Sequence, residues 1–252
     1  MNNIIAFAGK GGVGKTTIAS LLIRYLVKQK AGSVLAIDAD PNSNLGELLG
    51  FKPTQDIGRI IDDISRNISQ IPLNMSKDEF ISYRIETTLD EAEGFDLLTL
   101  GRPEGTGCYC YVNNVLRNVS SKLMSNYDYI VIDNEAGFEH LSRKTLKKID
   151  TLIIISDSTP QGLKAARRIF DLVKELKIEY KEIYLVVNRV KLNKKTDIDF
   201  PAEIAGFISE DVNISDAGEI SIMNLDEKTQ IIKETNEIFS HITERSRSCL
   251  KN

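Results

Sequence analysis

The sequence predicts an α/β chain, a mostly parallel sheet flanked by helices on both faces, and three observations carry that expectation. Short apolar runs alternate with stretches of helical periodicity from end to end. The runs are dense in Ile, Val and Leu rather than alternating with polar residues, as suits strands covered on both sides. A glycine-rich turn follows the first run, where α/β sheets gather their ligands. No repeat, low-complexity linker or composition break divides the 252 residues, so residues 1–252 are read as one domain.

"NNIIAFA" is the first strand, and Ile18, Leu21, Leu22, Tyr25 and Leu26 follow at helical spacing. "SVLAID" is a second strand ending in Asp38. Residues 51–94 are more polar, carry Pro53 and Pro72, and read as short helices laid over the sheet. "FDLLTLG" returns to a buried strand at 95–101, and Val112, Val115, Leu116, Val119 and Leu123 outline a helix. "YDYIVID" ends in Asp133, and "DTLIIIS" spans 150–156. Leu163, Ala166, Ile169, Phe170, Val173 and Leu176 form an amphipathic face, then come the strands "EIYLVVN" and "EIAGFIS". A last helix from Asp226 sets Ile231, Ile232, Ile238, Phe239 and Ile242 on one side.

Composition bounds the function. With 42 % hydrophobic and 27 % charged residues the chain is of ordinary globular type. A net charge of −4 argues against a broad basic surface for nucleic acid. No apolar run is long enough for a membrane span, the start lacks a basic leader, and three cysteines make no disulfide framework. A reducing cytoplasm is the expected compartment.

"GKGGVGKTT" at residues 9–17 matches G-x-x-x-x-G-K-[ST] between a strand and a helix, the context a phosphate loop requires. Gly11, Gly12, Val13 and Gly14 let backbone N–H groups wrap phosphates, and the helix start faces the anion. Lys15 reaches the β- and γ-phosphates. The Thr16 hydroxyl is the expected Mg²⁺ ligand and Thr17 touches the α-phosphate. Asp38 and Asp40, in "IDADPNSNL", follow the second strand. Asp40 is the candidate that positions the attacking water, and Asp38 acts through Mg²⁺ or its waters. Asp133 suits an outer-shell Mg²⁺ contact, with Gly137 giving freedom to the loop after it. Capping of a helix start is the plainer alternative for these aspartates.

Cys108 and Cys110 stand two apart in "GRPEGTGCYCYVNN", so in an extended chain both sulfurs face one way. Two thiolates do not complete a four-coordinate site, and the only histidines, His140 and His241, are distant in sequence. A second copy across a twofold axis supplies the missing pair, giving four sulfurs for tetrahedral Zn²⁺ or square-planar Ni²⁺. Packing cysteines and a redox pair remain the alternatives.

The loop K-G-G-x-G-K-T, with Lys10 as an early second lysine, resembles the deviant phosphate-loop group of MinD, ParA and the nitrogenase iron protein. That resemblance implies that Lys10 reaches across a dimer to the partner's nucleotide, and that Asn188 hydrogen-bonds adenine, favouring ATP over GTP. "GFISEDVNISDAGE" resembles the group's adenine-flanking loop, with Ser209 where a proline is usual. "GRPEGTGCYCYVNNVLR" and "YDYIVIDNEAGFEHLSR" together resemble the CooC family, ATPases that assist nickel insertion into carbon monoxide dehydrogenase, with relatives serving acetyl-CoA synthase. The resemblance implies an ATP-driven homodimer that binds metal through Cys108 and Cys110 at its interface, with Lys10, Lys15 and Asp40 as catalytic residues. It implies a client nickel enzyme as partner; the net charge of −4 and Glu234, Glu237 and Glu244 in the last helix argue against nucleic acid and membrane as partners. A positioning ATPase of the MinD or ParA kind, an iron–sulfur carrier and an ATP-gated scaffold are the rival readings.

Overall fold

The computed structural model describes residues 2–40, 42–50, 52–101, 123–135, 148–191, 197–211 and 221–248, the side chains of residues 78 and 246–248 aside. Cys108, Cys110 and Gly137, and all but the last residue of the helix expected over 112–123, lie outside the described residues.

In chain order the elements are β1 (Asn3–Gly9), α1 (Lys15–Lys28), β2 (Val34–Ala39), α2 (Leu45–Leu49), α3 (Ile57–Arg66), α4 (Lys77–Glu86), β3 (Asp90–Ala92) and β4 (Phe95–Thr99). Then follow β5 (Tyr129–Asn134), β6 (Lys148–Asp157), α5 (Pro160–Glu175), β7 (Glu179–Val190), β8 (Glu203–Ser209) and α6 (Gln230–Ser248). Eight strands form one sheet in the order β3-β4-β2-β5-β1-β6-β7-β8. Every neighbouring pair is parallel except β3 with β4. The mostly parallel sheet is thus as expected. The antiparallel edge was not, because Asp90, Glu91 and Ala92 make no apolar run.

Alternation along each strand divides the core. Ile5, Phe7, Val131, Ile153 and Val186 face α1 and α6, where Leu22, Leu26, Phe239 and Ile242 meet them. Ala6, Ile130, Ile132, Ile154 and Leu185 face α3, α4 and α5, under Ile61, Ile81, Phe170 and Val173. Both faces are covered, which accounts for the near-continuous apolar strands. The apolar face of the last helix is spent on this core, with Ile232 at 1 % and Phe239 and Ile242 at 0 % exposure.

Helix starts follow local chemistry. Asp56 accepts from Arg59 N at 2.9 Å to cap α3. Ser76 and Glu79 form a reciprocal capping box at α4. Thr159 accepts from Gly162 N at 3.0 Å before Pro160 in the first turn of α5. Helix α1 differs: it starts from Gly14 at φ 94° with no side-chain cap. Among the described residues, no helix is long and apolar enough to cross a membrane.

Phe239→Ala should cost about 3–5 kcal/mol of unfolding free energy, since it empties the seam between α6 and the sheet. Urea denaturation of the wild type and the variant measures it.

Candidate nucleotide site

The parallel strands β1, β2 and β5 end together at the carboxyl edge of the sheet, and the sequence motifs meet there. β1 runs into Gly9, whose Cβ position would lie 2.5 Å from Ile155 O. A side chain there would push the loop off β6, so glycine sets the entry. Gly12 and Gly14 hold positive φ of 79° and 94°, conformations that ordinary residues resist. The loop they shape leaves the first N–H groups of α1 uncapped by any side chain. Lys10, Gly11 and Gly12 are exposed at its rim. Lys15 is 7 % exposed and lays its ammonium along the loop, with Nζ donating to Lys10 O at 3.5 Å. A concave set of donors with a lysine across its mouth is built for a polyphosphate.

Asn188, at the end of β7, braces this loop. Its Nδ2 donates to Val13 O at 2.8 Å, and its Oδ1 accepts from Arg189 N at 2.9 Å. One amide hydrogen is left over for a ligand. Gly14, Thr17, Asn188, Arg189, Ser209 and Glu210 line a small cleft beside the loop. The expected adenine contact at Asn188 therefore sits next to a cleft, and the asparagine also holds the phosphate loop.

Register places the acids. Asp38 of β2 pairs with Asp133 of β5, which also pairs with Phe7 of β1. Both carboxyl groups are at 0 % exposure. Asp38 accepts from Asp40 N at 3.1 Å and from Leu45 N, the first residue of α2, at 3.0 Å. The capping alternative is therefore partly realised, by Asp38. Burial pushes the Asp38 carboxyl up to about 7; the Leu45 N–H pulls it down, the neighbouring Asp133 charge adds to the rise, and of Asp40's two influences the backbone N–H opposes it while the carboxylate adds to it. Asp40 is half-buried and accepts from Asn42 N at 2.9 Å, closing a turn rather than capping a helix.

Asp133 has no such support. Neither carboxylate oxygen has a hydrogen-bond partner. Burial raises its pKa to about 6; the Thr16 hydroxyl, near but outside hydrogen-bond geometry, and the Lys15 charge hold it down, while Asp40 pushes it up. Two orphaned, buried carboxylate oxygens beside Thr16 fit a divalent cation with a nucleotide, which Thr16, Asp38 and Asp133 would hold between them. Asn134, which the motif reading missed, donates Nδ2 to Phe7 O at 2.7 Å, and its buried Oδ1 has no partner. Its only sequence signal was its place after Asp133. Among the described residues no cluster of three His, Cys, Asp or Glu is arranged to hold a metal by itself. Cys108 and Cys110 are outside the described residues.

An uncapped phosphate loop over buried aspartates, at the carboxyl edge of a parallel sheet, defines a P-loop nucleotide-binding protein. The chain belongs to the family described as the CobQ/CobB/MinD/ParA nucleotide binding domain, matched over residues 4–222. It is 41 % identical over 248 residues to an uncharacterized ATP-binding protein of Methanocaldococcus jannaschii, covering 95 % of this chain and 98 % of that one. It is 31 % identical over 212 residues to the carbon monoxide dehydrogenase accessory protein CooC of Rhodospirillum rubrum, covering 78 % of this chain and 77 % of that one. The MinD cell division protein of Aquifex aeolicus shares the fold with a TM-score of 0.69 at 23 % identity, over 96 % and 97 % of the two chains.

The buried acids set a pH dependence. A carboxyl whose folded pKa lies above its unfolded value binds its proton more tightly when folded. It favours folding below about pH 4, and that contribution is lost as pH rises to 6 or 7. Asp133→Asn should therefore raise the thermal midpoint of nucleotide-free protein at pH 8 by about 5 °C, for roughly 2 kcal/mol relieved. The gain should vanish near pH 4, and added Mg²⁺-ATP should stabilise the variant less than the wild type. Thermal scans at pH 4.5 and pH 8 check both.

Proposed function

We propose that this chain is an ATP-dependent, homodimerising metallochaperone ATPase that assists nickel insertion into carbon monoxide dehydrogenase or acetyl-CoA synthase. The observation that carries the reading is the tie between β4 and the nucleotide site. Leu100 N donates to Asp38 O at 2.9 Å, directly before the segment that holds Cys108 and Cys110. That segment returns to the sheet as β5, which ends on Asp133 and Asn134. A shift of Asp38 on nucleotide binding is therefore felt where the cysteine-bearing stretch begins. Likeness to the Rhodospirillum accessory protein supports the same client chemistry.

In this mechanism the loop N–H groups and Lys15 hold the ATP phosphates, and Thr17 contacts the α-phosphate. Thr16, Asp38 and Asp133 would hold the Mg²⁺ that comes with ATP, which when bound would neutralise charge for phosphoryl transfer. Asp40 orients the water that attacks the γ-phosphorus, yielding ADP and phosphate. Its Oδ1 closes the turn with Asn42 N, which leaves Oδ2 to take the water. Lys10, exposed at the loop rim, places its ammonium at the partner's γ-phosphate. Each subunit adds two thiolates to a Ni²⁺ or Zn²⁺ site, so metal and ATP act on one monomer–dimer equilibrium and must favour each other.

A positioning ATPase is the second reading, favoured by 25 % identity over 191 residues to the septum site-determining protein MinD of Thermotoga maritima. Against a membrane role for α6, its apolar residues are consumed by the core. Sedimentation with anionic vesicles or DNA in the presence of ATP separates the two, and ATP-dependent co-sedimentation would support the second reading.

Anaerobically purified wild type with non-hydrolysable ATP should carry about one metal per two chains and elute as a dimer. Cys108→Ser/Cys110→Ser should lose the metal, and metal analysis with size-exclusion chromatography reads both. Lys10→Ala should lower ATP turnover by about 10²- to 10³-fold while leaving ATP affinity within a few-fold, as expected of a charge that acts on the transition state. A monomer in every nucleotide and metal condition would end the proposal.

A further inference from the structure

The far wall of the cleft beside the phosphate loop meets the sheet only past an irregular stretch of ladder, where Ser209 pairs with Val190 and Glu210 N donates to Val190 O at 3.3 Å. β7 and β8 slip register between Leu185 and Val186 and again between Val187 and Val190, where one extra β7 residue precedes the pair Val190 with Ser209. The extra residue opens a bulge, and Arg189 within it takes a left-handed φ of 56°. Bulges loosen the ladder and re-aim the chain. Ser209, Glu210 and Asp211 form the lip of the cleft immediately beyond this break. A wall that must present fixed polar groups to a ligand needs another anchor.

That anchor is Glu234, in the second turn of α6. Its Oε2 accepts from Ser209 N at 2.7 Å and its Oε1 from Ser209 Oγ at 2.7 Å. Gln230 Nε2, one turn earlier, donates to Oε1 at 2.9 Å and orients the carboxylate. Two charge-assisted bonds to one residue are short and directional, and they fix Ser209 against a helix that is itself locked into the core. The start of β8 is tied to the same helix, with Glu203 bonded to His241 at 2.8 Å and to Arg245. β8 and α6 are thus bonded at both ends of the strand. Across the cleft, Asn188 holds the opposite wall through Val13. The two walls are braced by different residues on different elements.

We propose that Glu234 is a positioning residue for the nucleobase, holding the Ser209–Asp211 lip in place so that the cleft grips the base while the phosphate loop grips the phosphates. The proposal rests on the nucleotide reading of this site and deepens it. Glu234 touches no phosphate and no reacting atom, so it sets affinity for the base-bearing ligand and not the rate of the chemical step. Loss of its carboxylate loosens Ser209 within the lip, and the ligand must then meet the cost of ordering it. The need for Glu234 comes from the N–H and the hydroxyl of Ser209. Proline has neither, and fixes its own φ. A proline at position 209 should therefore make the glutamate dispensable.

Steady-state ATP hydrolysis and calorimetric ADP binding on the full chain provide the test. Glu234→Ala should raise KM for ATP and Kd for ADP about tenfold, with kcat within twofold of wild type. Glu234→Gln, which keeps the shape and an acceptor, should lose about threefold or less. Ser209→Pro/Glu234→Ala should return to within about threefold of the wild-type Kd. Binding of inorganic tripolyphosphate, which has no base, should be unchanged in all variants. An unchanged ADP affinity in Glu234→Ala would overturn the proposal. So would equal weakening of tripolyphosphate, equal loss of kcat and KM effects, or a double variant as weak as the single one. Failure of the wild type to bind any nucleotide would sink the nucleotide reading itself, a different result from any of these.

Discussion

Parallel pairing of β2 with β5 sets Asp38 opposite Asp133, and both carboxyl groups are sealed from water. Two acids in that position repel each other and lose their hydration, so the apo site is under electrostatic load. Backbone N–H groups relieve Asp38. Nothing does so for Asp133 except the charge of Lys15 and the nearby Thr16. The site is therefore most at ease with a cation present, and the elements that approach it are those that a nucleotide and its metal would join. The phosphate loop, α2 and the end of β4 all bear on this pair.

The load explains why α1 lacks a cap where α3, α4 and α5 each have one. A side-chain oxygen at its start would satisfy the very N–H groups that an anionic phosphate needs. Gly14 serves the same end. Its Cβ position would lie 2.5 Å from Asn188 Nδ2, so the close approach of β7 to the loop depends on glycine at that point. The buried apolar face of α1 behind the loop holds this geometry, together with Arg24, which donates to Leu225 O at 2.9 Å and pairs with Glu227.

Coupling in the proposed mechanism follows from how strands are shared. The cysteine-bearing stretch leaves the sheet from β4 and re-enters it as β5, so it is bounded at both ends by strands bonded to β2. The base side of the site belongs to another part of the fold, β8 and α6. The proposed coupling to the cysteines and the proposed hold on the base therefore draw on opposite sides of the sheet, the first on β4 and β5 and the second on β8 and α6, with the phosphate loop between them.

Several features were legible in the residues alone. The apolar runs marked seven of the eight strands, because a strand covered on both faces must be apolar throughout. The glycines and lysines of residues 9–17 marked the phosphate loop, because close backbone approach to an anion permits few residue types. The aspartates at the strand ends were legible for the same reason, as charges where apolar runs stop. The edge strand β3 was not, since Asp90, Glu91 and Ala92 are too few and too polar to make an apolar run. Nor did local sequence mark Asn188 as a brace for Val13, Asp38 as a partner of Leu45, or Glu234 as the acceptor for Ser209. Those bonds join residues up to 175 positions apart, and their donors and acceptors are ordinary until the sheet order brings them together. Sequence by itself determined the layers of the fold and the class of ligand, through patterns confined to short windows. Tertiary structure decided which polar groups are satisfied and which are left wanting, because burial and partnership are properties of neighbours in space.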